Sequence, residues 1–112
     1  MNNQYKKGVV ELCILSLLSR GDSYGYDVSD MLTRHMDLSE GAVYPILRKL
    51  KDDGLVSTYL SEVSGGPPRK YYTLTKTGRQ VYETEKKDWL DFARTIEKIL
   101  EGDDHGPDRV SE

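Results

Sequence analysis

Two clusters of basic residues carry the chemistry this sequence offers. The first lies in Leu38–Val56, where Arg48, Lys49 and Lys51 occupy faces left open by the apolar positions Val43, Ile46, Leu47 and Leu50. At its N-terminal end stand Ser39, a capping-type residue, Glu40, and the small residues Gly41 and Ala42. A short helix of this build can approach a DNA major groove closely. Taken alone, the same pattern equally describes a surface helix with a solvated charged face. The second cluster is Arg69-Lys70, which follows the turn-rich run Ser64-Gly65-Gly66-Pro67-Pro68. Cations at the edge of such a tip suit backbone phosphates or a minor groove.

Residues for bond-making chemistry do not assemble. His35 and His105 are isolated, and Cys13 lies inside the apolar run Val9–Leu18, so no metal-ligand spacing is present. Gly65-Gly66 is followed by neither Lys-Ser/Thr nor a helix start, which rules out a phosphate-cradling loop. Asp52 and Asp53 are adjacent, and adjacent helical residues do not face each other, so they form no catalytic pair. The sequence predicts no enzyme activity, metal or cofactor.

Four helices and a hairpin are needed to position the two basic clusters. Residues 8–20 read as a helix that is apolar on most of its circumference and therefore must be covered on more than one side. Gly21 ends it, and Asp22 or Ser23 can cap the next helix, Tyr24–Met36, whose Tyr24, Val28, Met31 and Leu32 share one face. Gly25 within that helix implies a close approach of backbones. A short link then leads to the Ser39 helix, the order of a helix-turn-helix. Pro45 is a local conflict: it either kinks that helix or begins its regular part after a loose first turn from Ser39 to Tyr44. Leu55–Val63 and Lys70–Thr75 are strand-like, with Tyr72 and Leu74 on one face and Tyr71 and Thr73 on the other. A helix-turn-helix followed by a hairpin with a basic-edged tip is a winged helix.

The last helix begins with Thr75 or Thr77 as cap and runs to about Leu100. Its residues Trp89, Phe92, Ala93, Ile96, Ile99 and Leu100 form a stripe at helical spacing. A small winged domain cannot cover a helix of that length, so the stripe predicts a homodimer, with the first helix as the surface on which it would pack in a swapped arrangement. The predicted class is mainly α with a small β-hairpin (α+β). The expected organisation is a winged helix-turn-helix domain over 1–75, a C-terminal dimerisation helix over 76–101, and a disordered acidic tail over 102–112.

Charge is divided along the 112 residues. The net is −3, yet residues 101–112 hold five acids and one base, leaving fifteen bases and fourteen acids in the first hundred. The acidic balance therefore does not exclude DNA, although it predicts weak non-specific binding. No apolar run approaches the ~20 residues of a membrane span, there is no secretory signal pattern, and a single cysteine allows no internal disulfide. The expected compartment is the cytoplasm.

The elements Leu12–Leu18, Tyr24-Gly25-Tyr26, Leu38–Leu50, Gly54-Leu55 and Arg69–Thr75 with Gly78 together resemble PadR-type transcriptional regulators. The resemblance covers roughly residues 5–100 and is to the short-tailed branch with one C-terminal helix. It implies a homodimeric winged-helix repressor that binds a palindromic double-stranded DNA operator and is released by a small-molecule or stress signal. Carried over by position, Ser39, Ala42, Tyr44 and Lys49 are the groove contacts, with Arg48 on the same helix. Gly65, Gly66, Arg69 and Lys70 are the wing contacts. Lys6 and Lys7 either reach flanking phosphates or are solvated N-terminal charges. Glu40 departs from the expected pattern and either supports the helix N-terminus or accepts from a cytosine amine. The resemblance further implies an interfacial cavity for a planar aromatic effector, in which Trp89 would stack, with Tyr5 and Leu12 facing the same region; Trp89 otherwise serves as a core residue of the dimer interface. The alternative function is a winged helix used only for protein interaction.

Overall fold

The computed structural model describes residues 3–62 and 65–102, with side chains from residue 8 onward. The order is α1 (Asn3–Ser19), β1 (Ser23–Tyr24), α2 (Gly25–Met36), α3 (Glu40–Asp52), β2 (Val56–Ser61), β3 (Arg69–Leu74) and α4 (Lys76–Glu101). The three antiparallel strands are arranged β1-β3-β2. No helix among the described residues is long and apolar enough to cross a membrane.

The core draws one apolar face from each helix and from the β2–β3 hairpin. Val10, Ile14, Leu15 and Leu18 of α1 meet Val28 and Leu32 of α2, Val43, Leu47 and Leu50 of α3, Val56 and Tyr72 of the hairpin, and Tyr82 of α4. The other side of α1, with Leu12, Cys13 and Leu17, is only half-buried, as its all-round apolar character predicts. Burial also pushes the Cys13 thiol pKa up, which disfavours the thiolate.

The hairpin of the sequence reading has a third strand. Ser23 and Tyr24 do not open α2; they pair with Tyr72 and Tyr71 of β3. Tyr24 is the N-cap residue of α2, extended at φ −65° and ψ 137°, with no side-chain cap hydrogen bond, so neither Asp22 nor Ser23 caps the helix. The physical reason lies in the register. Extending these two residues fills the free edge of β3 and sets the Tyr24 ring 6.0 Å from that of Tyr71, a cross-strand contact that a capping turn would forfeit. Gly25 follows because its own close neighbour is the Tyr72 ring: a Cβ there would lie 3.0 Å from Tyr72 Cε1.

One junction ties α3, β2 and α4 together. Gly54, at φ 77°, turns the chain out of α3, and the Leu55 amide donates to Leu50 O at 3.0 Å. The Thr75 amide donates to Leu55 O at 3.1 Å, and its hydroxyl lies 2.7 Å from Gly54 O and 3.0 Å from Leu55 O. That hydroxyl also accepts from the Gly78 amide at 2.9 Å, making Thr75 the N-cap of α4. The first turns of α4 then lie on α1, where the Tyr82 hydroxyl is 3.3 Å from Ser16 Oγ.

Candidate nucleic-acid interface

The buried side of α3 determines what its open side presents. Val43, Leu47 and Leu50 are 0% exposed, so the opposite arc must carry Glu40, Gly41, Tyr44, Pro45 and Arg48 outward. The helix starts at Glu40 and runs through Pro45 without a break in assignment. Pro45 sits in the second turn, where it removes only the bond to the Gly41 carbonyl. Ser39, Glu40, Gly41 and Ala42 therefore form the helix tip itself, with Ser39 extended at φ −74° and ψ 154°. The Ser39 hydroxyl makes no cap hydrogen bond and is exposed, so it is available to a ligand.

The basic residues of α3 divide into two groups. Lys49 is bound on both sides, 3.0 Å from Asp53 and 3.5 Å from Glu11 of α1. The Asp53 hydrogen bond, with Glu11 behind it, holds the ammonium pKa above its ordinary value. Arg48 is exposed and has no carboxylate within ion-pair distance among the described residues. The Tyr72 phenol pKa is pushed up by burial and by nearby Tyr44, and eased back by the positive charge of nearby Arg48. Tyr44, Arg48 and the Tyr72 hydroxyl thus gather on one side of the domain.

The wing carries the second group. Gly65, at φ 70°, is exposed, and an added Cβ there would meet nothing within 4 Å. Gly66 is half-buried, and Arg69 and Lys70 are both exposed at the start of β3. Val63 and Ser64 lie outside the described residues, as do the side chains of Tyr5, Lys6 and Lys7 and the acidic tail from Asp103.

Leu12 and Trp89 come together between α1 and α4. They share a cleft of about 220 Å³ with Cys13, Ser16, Tyr82 and Lys86. Leu90, absent from the sequence-derived stripe, lines the same cleft. Further along α4, Trp89, Phe92, Ala93, Ile96 and Leu100 border one continuous apolar groove.

The family's sequence model for PadR-like transcriptional regulators matches residues 14–84, which span the helix-turn-helix, the wing and the start of α4. The chain belongs to the PadR-like family of transcriptional regulators. Members of this family are regulators of transcription rather than enzymes. Similar solved structures include a PadR-like regulator from Bacillus cereus, 37% identical, covering 87% of this chain and 96% of that one with a TM-score of 0.79. Another is the Streptococcus mutans protein smu.1704, 39% identical over 87% of this chain and 91% of its own, with a TM-score of 0.80. The negative transcriptional regulator PadR of Bacillus subtilis is 34% identical over 73% of this chain, but the chain spans only 45% of its length. The Mycobacterium tuberculosis transcriptional regulator Rv3488 is 28% identical over 91% of this chain and 92% of its own.

Proposed function

We propose that this PadR-like protein is a homodimeric repressor that binds a two-fold related operator through α3 and the wing. The supporting observation is the division of α3, whose Val43, Leu47 and Leu50 are completely buried while Tyr44 and Arg48 face outward beside a free helix tip. In this reading Ser39, Glu40, Ala42, Tyr44 and Arg48 meet the major groove, and Gly65, Gly66, Arg69 and Lys70 meet flanking backbone. Lys49 serves chiefly as the bolt between α3 and α1, given its two carboxylate partners. The exposed stripe of α4 joins the two copies. A negative regulatory role also agrees with the Bacillus subtilis relative, a negative transcriptional regulator.

A gel-shift titration against the gene's own upstream DNA at several salt concentrations tests this reading. Binding should be specific and fall steeply with salt. Arg48→Ala should lower affinity by about tenfold or more, and Lys49→Ala by clearly less. Equal losses would mean that the faces of α3 are wrongly assigned, while salt-insensitive behaviour with no specific shift would favour a protein-interaction module.

The cleft shared by Leu12 and Trp89 is the proposed effector site, and a flat aromatic molecule suits its apolar walls. Planar aromatics should quench Trp89, the single tryptophan, and release the protein from its operator over the same concentration range. Quenching without release would remove the regulatory role from this cleft.

A further inference from the structure

Each strand of the sheet contributes one tyrosine to a single row. Tyr24 of β1 stands opposite Tyr71 of β3, and Tyr59 of β2 stands opposite Tyr71 from the other side. Ring centroids are 6.0 Å apart for Tyr24–Tyr71 and 5.7 Å for Tyr59–Tyr71. Tyr26, at the start of α2, extends the row at 6.1 Å from Tyr24. The far end is anchored where the Tyr59 hydroxyl donates to Asp22 at 2.7 Å. Hydrogen bonds from Thr73 and Tyr59 hold the Asp22 carboxyl below its ordinary pKa.

Above this row lies Arg69, with its guanidinium carbon 5.0 Å from the Tyr24 ring centroid. Arg69 has no carboxylate within ion-pair distance among the described residues. An arginine resting on an aromatic ring uses the face of its guanidinium and leaves its in-plane N–H donors directed outward. A phosphate, whose oxygens can accept two parallel N–H bonds, is a ligand those donors fit. A free arginine must give up much of its rotamer freedom on contact, whereas one already seated on a ring gives up less.

We propose that Tyr24 is a positioning residue for DNA binding: its ring seats Arg69 so that the guanidinium meets a backbone phosphate beside the wing. Tyr24 itself does not touch the DNA. The proposal rests on the wing being a DNA contact, so the experiment keeps the two claims apart. Operator affinity and its salt dependence are measured for the full chain, Arg69→Ala, Tyr24→Phe, Tyr24→Leu, and the Tyr24→Leu/Arg69→Ala double variant. Arg69→Ala should weaken binding about tenfold and lower the salt slope by about one. Tyr24→Phe, which keeps the ring, should bind as the parent does. Tyr24→Leu should weaken binding about three- to fivefold, with no further loss when combined with Arg69→Ala.

Additive losses in the double variant, or a Tyr24→Phe loss as large as that of Tyr24→Leu, would overturn the positioning role. No change in affinity or slope with Arg69→Ala would overturn the wing contact and the positioning role together. If Tyr24→Leu does not fold, Tyr24→Trp is the substitute. Its better cation-binding face should keep or tighten binding only while Arg69 is present, and a Trp variant that behaves identically with and without Arg69 would reject the proposal.

Discussion

Phe92→Asp combined with Ile96→Asp is expected to convert the proposed dimer into a monomer and to reduce operator affinity by about a hundredfold or more, because the two linked half-site contacts of that proposal would become one. In the single chain Phe92 is 62% exposed, Ile96 37%, Ile99 48% and Leu100 81%, with Trp89 and Leu90 above 40%. A contiguous apolar surface of that kind on one helix marks an interaction site, and burying each such side chain is worth roughly 1.5–3 kcal/mol. Two carboxylates in that strip would lose their hydration on association with no cation on the stripe to pair them. Because both positions face outward in the isolated chain, the substitutions should spare the winged domain. Sedimentation would report the change, with Leu60→Asp, at an exposed apolar residue on β2, retaining the parent mass. A double variant that still sediments like the parent would remove α4 from the interface.

Gly78→Ala should destabilise the fold by about 3 kcal/mol or more, lowering the midpoint of thermal unfolding by well over 10 °C. A Cβ at this position would overlap the Leu55 carbonyl oxygen and crowd Leu74 Cδ1 at 2.8 Å. Backbone cannot step aside as a side-chain tip can, so α4 would have to lift from β2 and break the Thr75 cap. Gly8→Ala provides the contrast, since an added Cβ in α1 meets nothing within 4 Å there. It should leave the melting temperature unchanged or raise it, in line with the roughly 1 kcal/mol by which Ala exceeds Gly in a helix. Similar losses at both positions would point to a general intolerance of helix substitution rather than to the junction.

Gly78 also shows where sequence reasoning stopped. Its helical position, a cap at Thr75 or Thr77 and the resemblance to PadR-type proteins were all legible, but the choice of Thr75 needed the structure, and the carbonyl Gly78 must clear lies twenty-three residues earlier and leaves no local signal. The same divide recurs elsewhere. The 3.6-residue period of Val43, Leu47 and Leu50 was enough to expect which side of α3 is buried, and Tyr72/Tyr71 alternation was enough for β3. Ser23-Tyr24 could not be recognised as a strand, because two residues become extended only through the partner they meet. Ser39 has the composition of a cap and does not act as one. The Lys49–Asp53 spacing hints at an ion pair, whereas Glu11, which draws Lys49 toward α1, comes from a distant segment. Exposure along α3 and α4 follows the sequence period, whereas the neighbours of Lys49 and Gly78 needed coordinates.

The Thr75 junction has a mechanical consequence. It stands at the foot of both α3 and α4, and α4, with its 26 residues, is about 39 Å long. A swing of about 10° at that foot moves the far end of such a rod by about 7 Å. In the proposed dimer, where the rods are joined away from their feet, the geometry acts as a pair of callipers. A modest roll of one rod against the other would change the spacing of the two α3 tips, and with it their match to successive turns of the duplex. A molecule wedged beside Trp89 would need no contact with α3 to spoil its fit, because altering the opening of the callipers is sufficient.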